Sequence, residues 1–269
     1  MLKKTVVPLL ILLLLAGFAK SQFRADTVEY VRKQIFPGAK ISANHHYKFP
    51  VRFVEMNFYT QHKKILNGLL FKADTSKGVI FYLHGNEGNM TKWGKIAGTY
   101  TRLNYDIFIL DYPGYGKSEG SVQSDAQLFK DVQQAYYTIR SLYDNDHIVV
   151  MGYSIGTGAA AMLAAKNHTK MLILDAPYYS LRDGIHHSSP SLDTALIPFH
   201  FNTYLYLQKV TAPVVIFHGD ADEVFYYGSS LKLKRFFKTG DQLITLKGAG
   251  HLDFEKNEDY LSALKILLK

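Results

Sequence analysis

The chain has 269 residues, 47% hydrophobic and 20% charged, an ordinary globular composition that is ample for one sizeable core. Cysteine is absent, which excludes disulfides, a thiol nucleophile, a thiolate metal site and a lipid-modified N-terminal cysteine. The formal net charge of +8 reads as a solvated basic face, because no nucleic-acid motif accompanies it.

Lys3 and Lys4 precede an apolar run from Val6 to Ala19, and Ala19-Lys20-Ser21 follows as a small-residue exit. This pattern predicts a secretory signal peptide over 1–21. The run is shorter than the ~20 residues of a spanning helix, and an uncleaved membrane anchor is the alternative. The protein is therefore expected to be exported, periplasmic or secreted, or tethered to a membrane by this segment.

Val28, Val31 and Ile35 recur at helical spacing over Asp26–Phe36, and Pro37-Gly38 ends that pattern. Residues 22–50 read as an N-terminal helix and connector, and the main domain as 51–269. Val51–Tyr59 and Ile65–Lys72 predict an antiparallel pair. Six short apolar strands follow at Val79–Leu83, Ile107–Leu110, Ile148–Met151, Met171–Leu174, Val214–Phe217 and Leu243–Leu246. Helices are expected at Lys92–Leu103, Ser124–Tyr143, Ile155–Lys166, Ser229–Phe237 and Glu258–Leu268. Continuous apolar strands separated by helices predict an α/β fold, with a mostly parallel eight-stranded sheet covered on both faces. Residues 175–212 carry Pro190, Pro198 and a cluster of aromatics between two core strands. They are expected to form a small cap, with Tyr178 and Tyr179 either lining a substrate pocket or packing the cap.

Gly152-Tyr153-Ser154-Ile155-Gly156 joins a predicted strand to an alanine-rich helix. In that context G-x-S-x-G describes a nucleophile elbow, a turn tight enough to require flanking glycines. A serine hydroxyl is a poor nucleophile, so the reading needs a base, an acid and an oxyanion site. Asp222 in His218-Gly219-Asp220-Ala221-Asp222 and His251 in Gly248-Ala249-Gly250-His251 each follow a predicted strand, as acid and base. Asp220 and Glu223 compete with Asp222 and read as loop-shaping or solvent-facing residues. His84-Gly85-Asn86 follows the strand Val79–Leu83, and its turn makes the Asn86 backbone N–H one oxyanion donor and the Ile155 N–H the other. His84 and His218 read mainly as hydrogen-bonding groups of their own turns. The pairs His45-His46 and His186-His187 lack ligand spacing, and no metal site is expected.

H-G-N-x-G-N from His84, Asp111-Tyr112-Pro113-Gly114-Tyr115-Gly116, G-Y-S-I-G, H-G-x-x-D-x-V and G-x-G-H, in that order, resemble the α/β-hydrolase superfamily. The chain is similar to its α/β-hydrolase-domain branch, which includes eukaryotic depalmitoylases and bacterial serine aminopeptidase-like proteins. The resemblance runs from about Val51 to Lys269. It departs at Phe225, where many relatives carry proline, and this is expected to reshape the loop without removing Asp222. The resemblance implies an α/β-hydrolase fold and a hydrolase with no metal or organic cofactor.

The resulting expectation is a serine hydrolase that cleaves carboxylic esters, and by extension thioesters or small amides, through an acyl-enzyme on Ser154. Its expected partner is a small acyl ester or lipid-like substrate, with no nucleic acid and with membrane association through the N-terminus. An acyltransferase or serine peptidase on the same triad is the alternative. A non-catalytic receptor is disfavoured, since binding alone needs neither base nor acid.

Overall fold

The computed structural model describes residue 22 and residues 24–60 and 63–269. The predicted signal or anchor segment, 1–21, lies outside the described residues. Among the described residues no helix is long and apolar enough to cross a membrane.

The strands are β1 (Ala39–Lys40), β2 (Phe53–Tyr59), β3 (Ile65–Phe71), β4 (Val79–Leu83), β5 (Asp106–Leu110), β6 (Tyr115–Gly116), β7 (Ile148–Tyr153), β8 (Met171–Asp175), β9 (Val214–Gly219) and β10 (Gln242–Leu246). Eight of them form one sheet in the order β10-β9-β8-β7-β4-β5-β3-β2. β2 and β3 pair antiparallel, as do β3 and β5, and the remaining neighbours are parallel. This is the α/β-hydrolase fold. β1 and β6 form a separate short parallel pair, which local sequence patterning did not predict.

The central strands are apolar throughout because both of their faces are covered. Along β4, Val79, Phe81 and Leu83 enter one core, whereas Ile80 and Tyr82 enter the other. The helices are α1 (24–35), α2 (Met90–Trp93), α3 (Ala97–Thr101), α4 (Asp125–Arg140), α5 (Gly156–Lys166), α6 (Leu181–Ser188), α7 (Thr203–Leu207), α8 (Gly228–Leu233) and α9 (Glu258–Leu267). α4 and α5 cover the first face, and α3 and α9 cover the second. The single helix expected over Lys92–Leu103 is instead α2 and α3, separated by a 3₁₀ turn at Gly94–Ile96. Ser124 caps α4 by accepting the Gln127 N–H at 3.2 Å.

Residues 24–50 are packed into the same body as the rest of the chain. Val31, Ile35 and Phe36 enter the first core, and the Phe36 ring meets Phe199 of the cap edge-on at 5.0 Å. The Arg32 guanidinium donates to the Val122 carbonyl at 2.7 Å and pairs with Glu29. These contacts bring α1 to the carboxyl end of the sheet, beside the elbow.

Candidate active site

β7 runs directly into α5, and the turn between them holds Ser154 at φ 54°, in the left-handed region that costs a non-glycine residue about 1–3 kcal/mol. The surroundings over-determine that conformation. A Cβ on Gly152 would stand 2.7 Å from the Ala160 Cβ, and one on Gly156 would stand 2.2 Å from the Leu83 carbonyl oxygen. The Ser154 N–H donates to the Asp175 carbonyl at 2.9 Å, and the Thr157 hydroxyl donates to the Ser154 carbonyl at 2.6 Å. The elbow is thus wedged between β4, β8 and its own helix.

Two further loops converge on the serine. Nε2 of His251 lies 2.8 Å from Ser154 Oγ, and its Nδ1 lies 2.7 Å from Asp222 Oδ2. An ionised carboxylate accepts, so the geometry puts the imidazole proton on Nδ1 and leaves Nε2 to accept the Ser154 hydroxyl. Burial pushes the Asp222 carboxyl upward, but hydrogen bonds from His218 and His251 outweigh it and hold the group well below the usual carboxylate range. The second oxygen, Oδ1, accepts the N–H groups of Val224 at 2.8 Å and Phe225 at 2.9 Å. Asp220 is engaged elsewhere, accepting the Gly248 N–H at 2.6 Å.

Phe225 has a larger part than its reading as a loop variation. A proline there would have no N–H to give Asp222. Its carbonyl accepts His218 Nε2 at 2.7 Å, and its ring lies 5.7 Å from the His251 ring. Tyr153, within the elbow motif, donates its hydroxyl to the His251 carbonyl at 2.6 Å and so ties the histidine loop to the serine turn.

The turn after β4 is held from below. Tyr112 donates to the His84 carbonyl and Tyr115 to the Asn86 carbonyl, each at 2.8 Å. His84 is wholly buried and donates from Nδ1 to the Gly85 carbonyl at 2.6 Å, and burial lowers its pKa to about 4. His84 is therefore a neutral turn-former, out of reach of substrate. Asn86 and Ile155 both line the cavity beside Ser154. Among the described residues neither backbone N–H donates to another protein group.

The cavity at Ser154 has a volume of about 470 Å³, in the range of small-molecule sites. Its walls are mainly apolar: Val31 and Ile35 of α1, Leu181 and Ile185 of α6, Leu192, and Phe225. Sequence reasoning missed the α1 contribution. The Val31 and Ile35 spacing signals a buried face but does not name what that face covers. Tyr178 and Tyr179 require a correction, because neither lines this cavity. Tyr178 is fully buried, donating to the Ile155 carbonyl at 3.0 Å, and Tyr179 stacks on Tyr204 at 4.4 Å. They pack the base of the cap.

A hydroxyl bonded to an imidazole whose other nitrogen serves a carboxylate is an arrangement that can make an alcohol nucleophilic. Here it opens on an apolar chamber with two uncommitted N–H groups. The comparisons agree with the fold. The sequence profile of the alpha/beta hydrolase fold matches residues 78–202. The alpha/beta hydrolase domain-containing protein 17B of Xenopus tropicalis is 31% identical over 196 residues, covering 72% of this chain and 67% of that protein. Its human counterpart is 30% identical over 196 residues, with 72% and 67% covered. The matched region spans 58–67% of the length of such relatives. An esterase from Pyrococcus furiosus superposes with a TM-score of 0.70 at 15% identity, covering 86% of this chain and 95% of that one, a likeness of fold. The chain belongs to the α/β-hydrolase family.

Proposed function

We propose that this hydrolase cleaves carboxylic esters, with thioesters and small amides in its range, through an acyl-enzyme on Ser154. The observation that carries the reading is the line Ser154–His251–Asp222, hydrogen-bonded at 2.8 and 2.7 Å where it meets a mainly apolar cavity.

His251 Nε2 takes the hydroxyl proton as Ser154 Oγ bonds to the carbonyl carbon, and the C=O electron pair moves onto oxygen. The Asn86 and Ile155 N–H groups hold that oxyanion, each such donor contributing about 2.7–4 kcal/mol to the transition state. Asp222 orients the imidazole and stabilises its charged form. Collapse of the intermediate breaks the bond to the alcohol, which leaves with the proton from His251. Water then gives a proton to His251 and attacks the acyl carbon, releasing the acid and restoring Ser154. The apolar walls of α1 and α6 favour a lipophilic acyl group on the bound side. A lipid-like ester is accordingly the proposed substrate class, and export or tethering by residues 1–21 is the proposed location.

The test is pre-steady-state hydrolysis of p-nitrophenyl esters of stepped acyl length by the full chain. A burst of p-nitrophenol stoichiometric with enzyme, absent in Ser154→Ala, is the expected result. Near-normal turnover in that variant overturns the mechanism.

A further inference from the structure

A second cavity, of about 530 Å³, lies on the far side of Trp93 and Tyr153 from the serine. Six aromatic rings line it, and their contacts close a circuit. Trp93 meets Tyr82 at 6.2 Å, and Tyr82 meets Tyr100 at 6.2 Å. The Tyr100 and Tyr260 hydroxyls are 3.1 Å apart. Tyr260 meets Phe254 at 5.7 Å, Phe254 meets Tyr153 at 6.2 Å, and Tyr153 returns to Trp93 at 5.4 Å. These rings come from β4, α2, α3, β7, α9 and the turn before α9, elements that share no local sequence pattern.

Asp175, the last residue of β8, also lines this cavity and is only 2% exposed. Its Oδ2 accepts the Tyr260 hydroxyl at 2.7 Å, and its Oδ1 has no partner among the described residues. A buried carboxyl with an idle oxygen lacks a partner, and a bound cation would complete it by favouring its ionised form. Aromatic faces attract the same kind of group through their quadrupoles, most strongly where water is excluded. Asp175 serves the serine turn through its backbone carbonyl alone, and no step of the serine mechanism uses its side chain. Around the chamber the other charges are mixed: Lys92 is 3.9 Å from Glu87, Lys256 is 3.0 Å from Asp253, and Lys95 and Glu255 add one of each sign, which leaves the buried Asp175 as the distinctive group. The Lys92 ammonium already sits 5.3 Å from the Trp93 ring centroid.

We infer that the chamber bounded by these six rings is a binding site for an organic ammonium group, held by cation–π contact and by the free oxygen of Asp175. The inference stands apart from the hydrolytic reading, because it uses neither Ser154 nor His251.

Trp93 is the one tryptophan in the sequence and lines both this chamber and the one at Ser154, so intrinsic fluorescence reports binding at either, and Asp175→Asn assigns a change to this one. Titration of the full chain with choline is expected to give a saturable change. The uncharged isostere 3,3-dimethylbutan-1-ol should bind at least about tenfold more weakly, and sodium chloride of equal ionic strength should be silent. Asp175→Asn should lose about tenfold in choline affinity, while Ser154→Ala should bind as the parent does. Equal binding of choline and its isostere overturns the inference without recourse to a variant. So does the absence of a saturable change. Hydrolysis of a choline ester beside the 3,3-dimethylbutyl ester of the same acid assigns the source of the cation. A lower KM for the choline ester, lost in Asp175→Asn, makes the ammonium part of the substrate. Equal KM values with choline binding intact make it a separate ligand.

Discussion

The two chambers that meet at Trp93 and Tyr153 use polar groups in opposite ways. At Ser154 each side chain of the triad is committed: hydroxyl to imidazole, imidazole to carboxylate, carboxylate to two backbone N–H groups. The backbone N–H groups of Asn86 and Ile155 beside it have no acceptor among the described residues. In the aromatic chamber the uncommitted atom is a buried carboxylate oxygen. The contrast separates reactivity from recognition. A chain of satisfied hydrogen bonds fixes a path for a proton, whereas an idle buried acceptor is matched to a ligand.

The comparison breaks hardest at the committed line. Ser154→Ala and His251→Ala should each lower kcat on the order of 10⁶-fold, and the double variant should lose little more, since the two act as one unit. Measured additivity would separate them. Asp222→Asn should cost about 10⁴-fold in kcat, because the amide selects the wrong imidazole tautomer. Phe225→Pro removes one of two N–H donors to Asp222 while leaving that of Val224. A hydrogen bond to a charged group contributes about 1.5–3 kcal/mol, so kcat/KM should fall roughly ten- to a hundredfold. Phe225→Ala keeps the N–H and should lose less, and the reverse order would assign the effect to the ring. Ile35→Trp narrows the Ser154 chamber from α1. It should move the preferred p-nitrophenyl ester to a shorter acyl chain with a change of a few-fold on the shortest ester, and an unchanged chain-length profile would remove α1 from the acyl wall.

The aromatic chamber gives the smallest effect, seen in stability. Burial pushes the Asp175 carboxyl up to about 8, whereas it titrates near ~3.9 in an unfolded chain. Between those values the folded state binds the extra proton, so stability is lost as pH rises and the loss is complete above the folded value. The neighbouring Tyr82, Tyr100, Tyr153 and Tyr260 are raised by burial beyond the ordinary tyrosine range and stay protonated throughout. Asp175→Asn should therefore gain Tm over the parent progressively from roughly pH 5 to about pH 9, by about 2–4 °C for each kcal/mol recovered. A gap that does not vary with pH would mean the carboxyl titrates in the folded protein as it does in the unfolded chain.

The fold and the serine site were legible in the sequence for a local reason. Ser154 sits at a left-handed φ that neighbouring glycines make room for, and such a turn leaves a motif in consecutive residues. The strands announce themselves as short apolar runs. The chamber walls did not, because α1 and α6 meet the site by tertiary packing. An apolar stripe at 31 and 35 is the same stripe whatever it covers. Tyr178 and Tyr179 show the converse: aromatic residues in a cap look like a pocket lining, yet one is buried under Phe225 and the other is stacked on Tyr204. The six-ring circuit draws on positions from 82 to 260, and no local pattern could have assembled it.

The central claim is that His251 activates Ser154, and fluorophosphonate labelling of the purified full chain beside Ser154→Ala and His251→Ala tests it most directly. The account predicts stoichiometric labelling of the parent and none of either variant. Labelling that persists in Ser154→Ala, or a folded parent that does not label, would contradict it.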